Sequence, residues 1–176
     1  IVSDSIIKNE TNKKRLFLKE WIKKIILKGY SSAFVAGIES KNYLIQLGFK
    51  KDKIFSPWDV IDNNFFEKNC NRISIPKNKY FLCVSRLLKR KNLINLIKSF
   101  AEYQNKGGKW NLKIIGSGEQ YEELIKLSKI ISNSNSFEII NWLQIEKLID
   151  YYKNASAFIL PSYFDNWGLV VNEAIA

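Results

Sequence analysis

From residue 79 onward, short runs of consecutive apolar residues alternate with longer stretches in which apolar residues recur every three or four positions. Lys79-Tyr80-Phe81-Leu82-Cys83-Val84-Ser85 is the first such run and predicts a buried strand. Asn92 then opens Leu93, Ile94, Leu96, Ile97 and Phe100, a helical stripe with Asn92 as N-cap and Gly107-Gly108 as its stop. The unit repeats: a strand over Trp110 to Ile115, a turn at Gly116-Ser117-Gly118, and a helix over Glu119 to Ile131 with Leu124, Leu127, Ile130 and Ile131 inward. A third strand (Phe137 to Ile140), a third helix (Glu146 to Lys153), a fourth strand (Ser156 to Leu160, ending at Pro161) and a helix from near Gly168 follow. Strands this short and apolar, separated by helices, predict an α/β fold: a doubly wound, Rossmann-like parallel sheet covered on both faces, with ligands at the carboxyl ends of its strands.

Residues 1 to 72 read as the end of a preceding α/β domain, and 73 to 176 as the second domain. Ile1 to Ser5 suggests the end of a strand, and Lys13 to Leu27 a helix with Leu18, Trp21, Ile22, Ile25 and Ile26 on one side and lysines on the other. Such a helix either packs on its own sheet or rests on an anionic membrane. Ser32 to Ala36 is a strand, Glu39 to Leu47 a helix stopped by Gly48, and Ile54 to Trp58 a strand end broken by Pro57. Asp62-Asn63-Asn64 and Lys68 to Arg72 read as the polar crossing between domains. The chain lacks methionine and stops at Glu173-Ala174-Ile175-Ala176, in what reads as the second turn of a helix, so it is expected to be cut at both ends.

Composition narrows the function. With 46% hydrophobic residues among 176, the chain is globular, and it has no run long enough to span a bilayer and no signal-peptide layout, which makes the cytoplasm the default compartment. Two cysteines in no ligand pattern and no histidine give no support to a zinc or histidine-base site. The net charge of +11 invites a nucleic-acid reading, but the basic residues are scattered and not interleaved with stacking aromatics, so no nucleic-acid partner is expected.

Three constellations fall at predicted strand ends. Arg86 and Lys91 follow the strand ending at Ser85, where a guanidinium fork and a compact ammonium suit a diphosphate; with Lys89 and Arg90 alongside, they also read as a solvated basic turn. Gly116 and Gly118 form either a ligand loop or a tight turn, and Tyr121 stands where a dinucleotide fingerprint needs its third glycine. The stretch from Pro161 to Ala174 turns into a helix at Gly168, so that the amides of Gly168, Leu169 and Val170 are candidates to receive an anion. Asp165 lies before that helix, and Glu173 lies inside it among Val170, Val171, Ala174 and Ile175. A glutamate in such company usually has a partner.

Taken in order, Ser85-Arg86-Leu87 with Lys91, Ile114-Ile115-Gly116-Ser117-Gly118, and Pro161-Ser162 with Asp165 and Glu173 resemble family four of the retaining GT-B glycosyltransferases, the glycosyl transferases group one. Residues 32 to 66 resemble the closing segment of that family's acceptor domain, so the likeness covers nearly the whole chain. The resemblance implies transfer of a sugar from a UDP- or GDP-sugar to a hydroxyl of a glycan or lipid-linked acceptor, with retention and without a metal or other cofactor. It implies that Arg86 and Lys91 hold the donor diphosphate, that the helix from Gly168 caps the distal phosphate, and that Glu173 accepts hydrogen bonds from the ribose. Asp165 stands where the family has a glutamate near the transferred sugar, so the resemblance makes Asp165, with Arg86 and Lys91, the candidate catalytic residues. Asn141-Trp142-Leu143 replaces a glycine-led turn beside the nucleobase and brings Trp142 and Leu143 into the donor site. The resemblance also assigns the acceptor to an amino-terminal domain, so this segment is expected to bind nucleotide without catalysing. Two other classes share features of the sequence: a nicotinamide-dependent oxidoreductase shares the βα pattern, and a non-catalytic polyanion-binding domain shares the charge.

Overall fold

The structure is a computed structural model that describes residues 2–3, 13–69, 78–131, 136–165 and 167–176. It divides into two compact units, Ile1–Ile61 and Asp62–Ala176.

The first unit contains β1 (Val2–Ser3), α1 (Lys13–Leu27), β2 (Ala33–Val35), α2 (Ile38–Gln46) and β3 (Ile54–Phe55), with the strands in the parallel order β1-β2-β3. Ala33, Val35, Tyr43, Leu44, Leu47 and Ile54 make its core. Gly48 ends α2 with φ 92°, a conformation open to glycine, and the amides of Gly48 and Phe49 return to the carbonyls of Ile45 and Leu44. The apolar stripe of α1 does not pack on the sheet: Leu18, Trp21, Ile22, Ile25 and Ile26 are all exposed. Among the described side chains of α1, Leu27, nine residues from Leu18 and so about two and a half turns round the helix, is the one that enters the core. On that inner side Tyr43 of α2 donates to Glu20 and accepts from Lys23. No helix among the described residues is long and apolar enough to cross a membrane.

The second unit runs α3 (Asn63–Asn69), β4 (Tyr80–Val84), α4 (Leu93–Asn105), β5 (Asn111–Ile115), α5 (Tyr121–Ile131), β6 (Phe137–Ile140), α6 (Ile145–Asn154), β7 (Ala157–Phe158) and α7 (Leu169–Ile175). Its four strands are parallel in the order β6-β5-β4-β7. Alternate residues of the strands supply two cores, as a doubly covered sheet requires. Cys83, Leu112 and Ile114 meet Leu93, Leu96, Ile97 and Phe100 of α4 and Leu124 of α5 on one face. Tyr80, Leu82, Val84 and Ile115 meet Leu148 of α6, with Val170 of α7 packed alongside, on the other. Burial pushes the Cys83 thiol up to about 12, which makes it inert packing.

Several elements depart from the expected outline. Asp62-Asn63-Asn64, expected as a crossing, starts α3: Asp62 Oδ1 accepts from the Phe65 amide at 3.1 Å, and Phe66 is buried with its ring 6.4 Å from that of Tyr152. A short polar run with an Asx cap opens a helix as readily as it makes a loop. Residues 70 to 72 of the expected crossing lie outside the described residues, as do the side chains of Ile130 and Ile131. Asn92 occupies the N-cap position of α4 but is left-handed (φ 58°) and does not cap with its side chain. Its amide reaches across to the Pro161 carbonyl instead, at 3.1 Å. The last strand is paired over Ala157–Phe158, flanked by bonds from the Ser156 and Ile159 amides to Tyr80 and Leu82.

Candidate active site

At the carboxyl end of β4 the chain turns through Ser85, Arg86 and Leu87. Leu87 is fully buried, which anchors the turn in the core, whereas Arg86 beside it is exposed and makes no ion pair with a described residue. The turn at the end of β5 lies directly against this one. The Leu87 amide donates to the Ser117 carbonyl (2.9 Å), and the Gln120 amide donates to the Leu87 carbonyl (3.0 Å). A Cβ at Gly116 would overlap the Ser85 carbonyl oxygen, and one at Gly118 would lie 2.5 Å from that of Leu87. Both glycines are therefore demanded by the contact between the two turns.

A short 3-10 turn, Lys89–Lys91, follows. It directs Lys91 inward, where the residue is only 7% exposed. A buried ammonium needs a counter-charge, and Lys91 Nζ is paired with Asp165 Oδ1 from the loop after β7. Arg90 Nη1 reaches the same oxygen at 3.2 Å and the Phe164 carbonyl at 3.1 Å. Burial acts to raise the Asp165 pKa, but Lys91 and Arg90 outweigh it and hold the carboxyl below its ordinary value; the Ser162 hydroxyl adds to the pull without being aligned as a hydrogen bond.

Gly168 enters α7 in a left-handed conformation, φ 79°, which explains a glycine there. The amides of Leu169 and Val170 are the first of α7, and such amides have no intrahelical acceptor. Glu173, one turn further on, accepts from Tyr152 Oη of α6 at 2.7 Å. The partner expected for this glutamate is thus a tyrosine on the neighbouring helix. Trp142, after β6, is 61% exposed, and Leu143 beside it packs into the core under α6.

The fold thus brings Lys91 and Asp165 together, and sets Arg86, Gly116 and Gly118 on the two turns at the ends of β4 and β5. Glu173 is engaged on α6. From the sequence Arg90 reads as part of a solvated turn, and the one signal of its role is its place beside Lys91.

The profile of the family described as "Glycosyl transferases group 1" matches residues 65–176. The chain belongs to that family. It is 33% identical over 138 residues to the "uncharacterized glycosyltransferase" of Haemophilus influenzae, covering 78% of this chain and 37% of that relative. It is 28% identical over 116 residues to the capsular polysaccharide biosynthesis glycosyltransferase CapM of Staphylococcus aureus, covering 66% and 30%. The chain spans about a third of the length of the curated relatives it matches. Among solved structures, the pneumococcal O-GlcNAc transferase GtfA in complex with UDP and GlcNAc has a TM-score of 0.71 at 17% identity, over 99% of this chain and 35% of that one. Anabaena HepE in complex with UDP has a TM-score of 0.71 at 14% identity, over 99% and 50%. At these identities the likeness establishes the fold, the parallel-sheet α/β architecture of GT-B glycosyltransferases.

Proposed function

We propose that Asp62–Ala176 belongs to the donor-binding half of a retaining glycosyltransferase of family four, and that Ile1–Ile61 is the end of its acceptor-side domain. The donor is a nucleoside-diphosphate hexose, and the acceptor a hydroxyl on a cell-envelope glycan or lipid-linked saccharide. The observation that carries the reading is the pair of interlocked turns at the ends of β4 and β5, which present Arg86 to solvent without a counter-charge among the described residues, five positions before the buried Lys91. Arg86 and Lys91 grip the diphosphate, the amides of Gly168, Leu169 and Val170 receive its distal phosphate, and Glu173 takes the ribose hydroxyls. Gly116 and Gly118 let the two turns close on each other at the edge of the donor site, with Trp142 and Leu143 on the side of the base.

As the glycosidic bond breaks, negative charge grows on the leaving diphosphate, and fixed cations and amides stabilise it more in the transition state than before it. The chemistry asks no more of this half than binding, orientation and charge stabilisation. UDP is supported by the complexes of GtfA and HepE; GDP is the alternative base. Ligand-observed NMR of the chain with UDP, GDP, ADP and NAD tests the reading. Preference for one nucleoside diphosphate supports it, and preference for NAD, or equal binding of all polyanions, overturns it.

The exposed stripe of α1 favours a second, additional reading. Trp21, Ile22, Ile25 and Ile26, bordered by Lys19 and Lys28, suit peripheral contact with an anionic membrane on the cytoplasmic face, where lipid-linked acceptors lie.

A further inference from the structure

Six interactions bind the loop after β7 to the segment that opens α4. Lys91 and Arg90 both hold Asp165 Oδ1. Arg90 also donates to the Phe164 carbonyl (3.1 Å) and accepts from the Tyr163 amide (3.0 Å) through its own carbonyl. Asn92 donates to the Pro161 carbonyl (3.1 Å). Asn95 Nδ2 adds a bond to Tyr163 Oη at 3.0 Å. Two loops from opposite sides of the β4–β7 pair are thereby locked just before Gly168 turns the chain into α7.

We propose, resting on the donor-site reading above, that Asp165 and Arg90 are positioning residues: they fix the ammonium of Lys91 and the entry to α7, and Asp165 does not touch the transferred sugar. Oδ1 is engaged by two cations, and Oδ2 is buried without a hydrogen-bond partner among the described residues, so neither oxygen is presented to a ligand. For Asp165 to reach a sugar it would have to abandon Lys91 in a site that is 7% exposed. Two cations on one carboxylate also leave the cluster with an excess of positive charge, the sign a diphosphate needs. Arg90 takes part because it can satisfy a carboxylate and a backbone carbonyl with one planar head, which lysine cannot do in the same geometry.

The test is the UDP affinity (GDP if it binds more tightly) of the 176-residue chain and its variants by calorimetry, with circular dichroism to verify folding. Arg90→Ala is expected to weaken binding roughly 3- to 10-fold and Asp165→Asn at least as much. Asp165→Glu should restore affinity to within about 3-fold of the parent. Because both residues act through Lys91, Arg90→Ala should have no further effect in an Asp165→Asn background. Arg86→Ala should multiply with either, which separates the clamp from a general loss of structure. If Arg86→Ala weakens binding while Arg90→Ala and Asp165→Asn leave it unchanged, or their effects multiply, the clamp is overturned and the donor site stands. If the folded parent binds neither nucleotide, both fall.

Discussion

Replacing Gly118 by alanine measures how tightly the turns after β4 and β5 are built on each other. The added Cβ would lie 2.5 Å from the Leu87 carbonyl oxygen and 2.9 Å from both its carbon and its nitrogen, all of them backbone atoms of a fully buried residue. No side chain can rotate away. Relief requires separating the turns and loosening the bonds from Leu87 to Ser117 and from Gln120 to Leu87. Overpacking of a closed site costs about 1–3 kcal/mol, and a stretched or orphaned backbone bond adds about 1 kcal/mol or more. A total of about 3 kcal/mol lowers the melting temperature by roughly 6–12 °C for a chain of this size. Gly107→Ala is the control, because its φ of 88° is also positive but nothing lies within 4 Å of the added atom. The left-handed backbone alone costs about 1–2 kcal/mol, a smaller shift. Thermal denaturation followed by circular dichroism reads both variants. If Gly118→Ala melts no lower than Gly107→Ala, the interlocked turns are wrong.

Two further outcomes follow from the ion cluster and from α1. The folded pKa of Asp165 lies below its ordinary 3.8, so its ion pairs stabilise the protein fully above that value and lose their contribution as the pH falls below it; the gap in melting temperature between the parent and Asp165→Asn should therefore shrink from pH about 5 to about 2, and a constant gap would contradict the pairing. Co-sedimentation with vesicles containing anionic phosphatidylglycerol should exceed that with phosphatidylcholine and fall in Trp21→Ala/Ile25→Ala; sedimentation indifferent to lipid charge or to these changes removes the membrane reading.

Much of the second unit was legible because strand and helix periods differ, and because runs such as Tyr80 to Val84 carry apolar residues on both faces, as only a doubly covered parallel strand does. The strand-end positions of Arg86, Lys91 and Asp165 followed from that outline. What stayed hidden depended on contacts between distant segments. Asn92 looks like a helix cap from its neighbours alone, yet its side chain serves Pro161, 69 positions away. Arg90 resembles any exposed cation until the loop after β7 is folded onto it. The stripe on α1 has a helical period, but a period states that a face exists and not which side faces the sheet; Leu27 and the Glu20–Lys23 side decide that through Tyr43. For Gly116 and Gly118 the sequence left ligand approach and tight turning equally open, and the overlap with Ser85 and Leu87 supplies a reason that needs no ligand.

The central claim is that the exposed guanidinium after β4 holds a diphosphate. Calorimetric titration of UDP into the folded chain and into Arg86→Ala tests it most directly. A charge-assisted bond of about 1.5–3 kcal/mol predicts a loss of affinity of about 10- to 150-fold in the variant. Equal affinity of the two folded proteins for UDP would contradict it.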